Sequence, residues 1–261
     1  MRAINTVVER DIQEIISDSQ IFDAFRGKLI LVTGATGLIG SMVARSLIAA
    51  NDAYHLSLRV ICHVRNIEKA HHMFSDIVDS DILTFVDTPL ESLDIACDYI
   101  MHGAAPTKSK YFVEHPVDTI RTSIHGTERM LELGKEQKIK GMVYLSSMEQ
   151  YGVPYESGQV MTEDRIGYLD HLNVRSSYSE SKRLCECYCK SYAVEFGVPV
   201  KIARLAQTFG AGVSLDDNRV FMQFTKNALE RRNIILHTKG DSMSNFCYIT
   251  DAVRAILILL S

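Results

Sequence analysis

Residues 28–40 read KLILVTGATGLIG, an apolar run that stops at a glycine and resumes in a new pattern six residues later. The run is short and bounded by a turn signal, so it reads as a buried strand rather than a helix. Gly34, Gly37 and Gly40 then recur at every third position. Glycines so placed permit a tight turn and a close backbone approach, and they open a helix whose first N–H groups have no partner within the helix. Those N–H groups and the positive end of the helix dipole suit a pyrophosphate. The stretch therefore predicts a dinucleotide site at a strand-to-helix turn.

Beyond this turn, apolar runs and helical patterns alternate along the chain. A helix is expected over 39–51, strands over 58–64, 81–87 and 98–105, a helix over 118–137, a strand over 141–147, a helix over 177–197 and one strand over 199–210. Such alternation implies right-handed crossovers and an α/β fold with a doubly wound parallel sheet. Ligands of such sheets sit at the carboxyl ends of the strands. The glycine turn, HGAA at 102–105 and LSSMEQYG at 145–152 each follow a strand directly, so they converge on one edge. Ahead of the first strand, Ile4, Val7, Val8, Ile12, Ile15 and Ile16 recur at helical spacing, which predicts an amphipathic helix over 4–25, a packing or dimer arm. Three parts follow: an N-terminal helical arm over 1–26, a dinucleotide-binding domain over 27–200, and the last sheet strands with a partial substrate-binding region over 201–261.

Composition narrows the partners. The 261 residues are 46% hydrophobic and 23% charged, with a net charge of -4 and no long basic run. That is a globular composition with no signature of nucleic acid or an anionic membrane surface. The longest apolar run, AILILLS at 255–261, is far short of the roughly 20 residues a membrane span needs, and it reads as a helix cut short. The first 25 residues are interrupted by acids throughout, unlike a secretory signal. Cys62, Cys97, Cys185, Cys187, Cys189 and Cys247 lack paired metal-ligand spacing, so no metal is expected and reduced, cytoplasmic thiols fit. Cys185, Cys187 and Cys189 lie two apart in a helical stretch and read as small packing residues rather than ligands.

The choice of dinucleotide turns on the second strand. A carboxylate at its end would bind the adenosine ribose of NAD, whereas an arginine can pair the 2′-phosphate of NADP. Arg65 stands there and leans to NADP; an exposed arginine near a strand end is also an ordinary solvated residue. Asp87, after the third strand, is a candidate for the adenine amine or a plain turn residue.

Chemistry is suggested by YSESK at 178–182, which puts Tyr178 and Lys182 four apart on one helix face. A phenol ordinarily titrates near 10. A neighbouring ammonium and a cationic nicotinamide would favour the phenolate and make it a usable base. Tyr178 would take a proton from a sugar hydroxyl, with Ser147 bonded to the same oxygen.

Together these motifs resemble the extended short-chain dehydrogenase/reductase family of nucleotide-sugar epimerases, dehydratases and decarboxylases. The resemblance runs from about Gly27 to the last residue and rests on TGATGLIG at 33–40, HGAA, SSMEQYG at 146–152, YSESK and FCYITDAVRAI at 246–256. It implies a Rossmann fold with NAD as cofactor and a Ser147, Tyr178, Lys182 triad, with Lys182 also on the nicotinamide ribose. Expected cofactor contacts are Gly34, Thr36, Gly37, Leu38, Ile39, Gly40, Arg65, Asp87, Ala104, Ala105 and Lys182. His102 is expected to shape the cofactor turn. A homodimer is implied through helices over 117–137 and 177–196, although Ile120, Ile124, Met130, Leu131, Leu184, Tyr188 and Tyr192 could equally pack inward.

Within the family the chain is most similar to UDP-glucuronate decarboxylases, in 105–127, 173–186 and 245–256. Glu149 takes the place of the acid those enzymes set beside the sugar. A dehydratase normally has an aspartate just before it to protonate the leaving hydroxyl; Met148 cannot, which disfavours dehydration. Two substrate-facing arginines are missing, replaced by Ala211-Gly212 and by the Ser244-Asn245 stretch. Arg204, Arg219 and Arg232 are candidates to compensate. The substrate portion is expected to be small and truncated. Three readings result: oxidation at C4 of a nucleotide sugar followed by decarboxylation or epimerisation with hydride return; an NADPH-dependent nucleotide-sugar reductase; or a cofactor-binding module that is inactive or needs a partner.

Overall fold

A computed structural model describes residues 6–77, 81–156, 158, 160–215, 217–236, 239–240 and 243–261. Ile4 lies outside the described residues. Six parallel strands form the central sheet: β1 (Leu29–Thr33), β2 (Arg59–His63), β3 (Leu83–Val86), β4 (Tyr99–His102), β5 (Gly141–Ser147) and β6 (Val200–Leu205). Their order is β3-β2-β1-β4-β5-β6, the doubly wound arrangement. Chain direction reverses its course across the sheet between β1 and β4, so the ends of β1, β4 and β5 line one edge.

Side chains alternate across each strand, and both faces are covered. On one face Ile30, Val32, Val60, Met101 and Val143 pack with α2 (Leu38–Tyr54) and α8 (Ile249–Leu260). On the other, Leu31, Ile61, Ile100 and Met142 pack with α5 (Pro116–Gln137) and α6 (Ser176–Phe196). Pro116 sits in the first turn of α5, where its missing N–H costs nothing, and Gly197 ends α6 in the left-handed region at φ +71°. Two short helices, α3 (Ile67–Met73) and α4 (Ser109–Glu114), follow β2 and β4. Met130, Leu131 and Tyr192 face inward, whereas Ile120 and Leu184 stay exposed.

The N-terminal segment departs from the single helix expected. Helix α1 (Thr6–Ile15) ends early, and Asp18 caps a separate 3-10 turn over Ser19–Phe25 by accepting from the Gln20 N–H. Ile15, Ile16, Phe22 and Phe25 are buried in the main core. Arg254 Nη1 donates to the Glu14 carbonyl and Tyr248 Oη to buried Asp11, both on α1.

The strand expected over 199–210 also breaks. It stops at Leu205, and β7 (Gln207–Phe209) pairs with β8 (Phe246–Tyr248) in a separate two-stranded sheet. Helix α7 (Val220–Leu229), between them, buries none of its residues. No described helix is long and apolar enough to cross a membrane.

Candidate active site at the sheet edge

Gly34 adopts φ +72°, and a Cβ there would come within 2.8 Å of the Gly103 carbonyl. A Cβ on Gly40 would strike the Gly34 carbonyl oxygen. Glycine is therefore required at both positions, one by conformation and contact, the other by contact alone. Gly37 precedes α2 without a side-chain cap, which leaves the N–H groups of Leu38, Ile39 and Gly40 outside the helical ladder. Thr36, Leu38 and Ile39 are partly open and Gly37 is exposed.

A hydrogen-bond relay fixes this turn to its neighbour. The Gly103 and Ala104 N–H groups donate to Thr33 Oγ1 at 3.1 and 3.2 Å. Thr33 Oγ1 lies 2.8 Å from His102 Nδ1, and His102 Nε2 lies 3.2 Å from Thr127 Oγ1. Because Thr33 already accepts twice, its proton goes to Nδ1, which makes Nε2 the protonated nitrogen. Thr127 accepts that proton and donates its own to the Ser123 carbonyl at 2.7 Å. Burial, aided by Lys182 and His63, lowers the His102 pKa to about 3, so the ring is a neutral strut. Ala104 and Ala105 follow it, partly exposed.

Arg65 and Asp87 lie just past the ends of β2 and β3, both exposed. Between them His63 Nε2 meets the Thr88 carbonyl at 2.9 Å, tying the two strand ends together. Among the described residues Arg65 enters no ion pair.

Ser147 ends β5, and its Oγ accepts from the Glu149 N–H at 3.2 Å. Tyr178 and Lys182 lie on the buried face of α6. The Tyr178 ring stacks on Phe112 of α4, with centroids 4.3 Å apart and 4° between planes. Lys182 Nζ donates to the Leu145 carbonyl at 2.7 Å and lies 4.7 Å from the Tyr144 ring centroid and 5.7 Å from that of Tyr178. Burial lowers its pKa to about 8.

Burial raises Tyr178 to about 12, against a hydrogen bond with Ser147 that pulls it down; Glu149 raises it further and Arg175 lowers it. Desolvation of the phenolate is the largest of these influences, and the Lys182 ammonium is directed to Leu145.

Three arginines singled out from the sequence are otherwise engaged. Arg204 grips Glu186 through Nε and Nη2, the latter at 2.7 Å. Arg219 does the same with Asp217, again with a 2.7 Å contact, and Arg232 pairs with Glu230 at 3.2 Å. Sequence reading passed over Arg175, whose Nη2 donates to Glu149 Oε2 at 2.8 Å and whose guanidinium lies 4.8 Å from the Phe112 ring centroid. Its position three before Tyr178 was the signal available. Cys185 and Cys189 are buried on α6, while Cys187 is exposed.

A family model described as the NAD dependent epimerase/dehydratase family matches residues 30–261. UDP-glucuronic acid decarboxylase 1 of Danio rerio is 29% identical over 239 residues, covering 90% of this chain and 54% of the relative. UDP-glucuronic acid decarboxylase 6 of Arabidopsis thaliana is 31% identical over 235 residues, 88% of this chain and 65% of the relative. The chain thus spans between about half and two thirds of these relatives' length. In fold it is similar to the UDP-glucuronic acid 4-epimerase of Bacillus cereus, solved with UDP-glucuronic acid and NAD, at a TM-score of 0.71 and 23% identity over 86% of this chain and 70% of that one.

Proposed function

Since the chain belongs to the NAD dependent epimerase/dehydratase family, we propose that it oxidises C4 of a nucleotide-linked sugar and then decarboxylates or epimerises it, bound NAD(P) accepting a hydride and returning it. The observation that carries this reading is the meeting of the Gly34 turn, Ser147, Tyr178 and Lys182 at one edge of the sheet. The chain's own groups fit a dinucleotide. The open N–H groups at the start of α2 would receive the pyrophosphate. Lys182 is a buried ammonium with a single acceptor, the Leu145 carbonyl, among the described residues. Its remaining N–H donors suit ribose hydroxyls.

In this mechanism Ser147 hydrogen-bonds the C4 oxygen and Tyr178 Oη takes its proton. A phenol raised by burial is a poor base alone, so proton transfer depends on positive charge reaching the site with the ligands. Lys182 keeps a charge beside the ring. A C4 carbonyl stands β to a carboxylate on C5, which is what allows CO2 to leave, and the names of the decarboxylase relatives support that outcome. We propose a homodimer through α5 and α6, where Val117, Ile120 and Leu184 are 59%, 39% and 44% exposed, in a cytoplasmic setting.

The test is to denature freshly purified protein, identify the released dinucleotide by mass, and follow products from a panel of UDP-, dTDP-, CDP- and GDP-sugars. Retained NAD, and turnover that falls by roughly 10²- to 10⁴-fold in Tyr178→Phe, are expected for general acid–base catalysis. A second reading, an NADPH-consuming reductase, is favoured by Arg65, which is exposed and enters no ion pair among the described residues. It predicts an empty site that prefers added NADPH, a preference lost in Arg65→Ala. Cofactor binding without turnover of any sugar would leave the partner-dependent module.

A further inference from the structure

The sugar side lacks the arginines its relatives led us to expect, and Arg204, Arg219 and Arg232 are held by Glu186, Asp217 and Glu230. Arg175 differs in its place and in its partner. It immediately precedes α6, three residues before Tyr178, and it lies over Phe112, the ring on which Tyr178 stacks. Its partner, Glu149, stands two residues after Ser147. Both side chains are about one-third exposed, 35% and 34%, so a ligand in the site can reach them. Among the described residues no other hydrogen bond uses the guanidinium. A fork that can grip a carboxylate at two points is therefore used at one.

Glu149 shows what this guanidinium accepts at this place, namely a carboxylate. We infer that Arg175 is the specificity-determining residue for a carboxylate carried on the sugar ring, and that Glu149 is the internal carboxylate it holds until such a substrate enters. The inference rests on the nucleotide-sugar reading above. Exchange of one carboxylate for another leaves the Arg175 charge compensated and frees Glu149, which Ser179 Oγ already approaches at 3.4 Å. A neutral hexose has no group to displace Glu149, and the pair stays closed. Away from the guanidinium, the Glu149 carboxylate is free to accept a hydrogen bond from the sugar. Both members of the pair act electrostatically on the Tyr178 phenol, so the exchange takes place within reach of the reacting oxygen.

The experiment is calorimetric titration of the protein, saturated with NAD, with UDP-glucuronate and with UDP-glucose. Wild type is expected to bind UDP-glucuronate about tenfold tighter or more, the scale of one charge-assisted hydrogen-bonded contact. Arg175→Gln should bring the two ligands within about twofold by weakening only UDP-glucuronate, and Arg175→Lys should restore part of the gap, a point charge without the fork. Glu149→Gln should widen the gap by removing the competitor. Retained NAD affinity in each variant reports an intact fold. If Arg175→Gln weakens both ligands alike or leaves their ratio unchanged, the inference is overturned while the proposed function stands. If wild type binds neither sugar nucleotide, the proposed function falls and the inference with it.

Discussion

At the ends of β1 and β4, polar groups are buried and satisfied by one another: Thr33, His102, Thr127 and Ser123 form one relay, and none is more than 2% exposed. Around β7 and β8 the balance is reversed. Val220, Leu229 and Phe246 are 62%, 73% and 51% exposed, although α7 has a clear apolar stripe. The first region is held by buried hydrogen bonds, which suits a surface that must present N–H groups at fixed points. The second carries apolar side chains on its surface, and its aromatic rings, Phe209, Phe221, Phe246 and Tyr248, mainly touch each other. The two regions differ in burial, and they should therefore answer mutation differently.

The sharpest contrast is between two truncations of similar size. Ile256→Ala, at a fully buried position of α8, should cost roughly 2–5 kcal/mol, whereas Leu229→Ala on α7 should stay within about 0.5 kcal/mol. Urea unfolding of both variants measures the difference, and equal losses would mean that α7 is covered in solution. Thr33→Val comes next. It strands His102 Nδ1 and the Ala104 N–H, while the Gly103 N–H keeps the Thr33 carbonyl at 3.2 Å; the cost is roughly 1–3 kcal/mol for a buried group left unpaired, and dinucleotide retention should loosen as well.

The smallest effect is a pH dependence. His102 is neutral in the fold, with a pKa lowered to about 3, and unfolding restores the ordinary value near 6.5. Between those values the unfolded chain binds the extra proton, so stability is whole above 6.5 and declines as the pH falls. At pH 5.5 the loss is about 1.4 kcal/mol. Thermal melts from pH 7.5 to 5 should show this slope in wild type and a shallower one in His102→Gln.

These contrasts mirror what could be read along the chain. The Gly34 turn was legible because strand, turn and helix are local patterns, and Tyr178 and Lys182 because four residues make one helical turn. His102 was expected to shape the turn, and its bond to Thr33 gives that expectation a mechanism. What escaped reading depends on distant segments. The break at Ala206 reflects β7 leaving the main sheet for Phe246–Tyr248, 39 residues further on in the register of Gln207 with Phe246. The stack of Phe112 on Tyr178 and the pairing of Arg175 with Glu149 join side chains 66 and 26 positions apart. The raised phenol is a property of burial, which no spacing rule reports.

The docking of α1 on α8 bears on the order in which the molecule assembles. Tyr248 and Asp11 are 237 residues apart in sequence. At a synthesis rate of about 5–20 residues per second, α1 leaves the ribosome roughly 12–50 s before its partner exists. Through that interval Ile12, Ile15 and Ile16 lack the cover that α8 later gives them. Helix α1 is thus made well before its docking can be completed, and the growing chain is open to chaperone capture or self-association along that stripe.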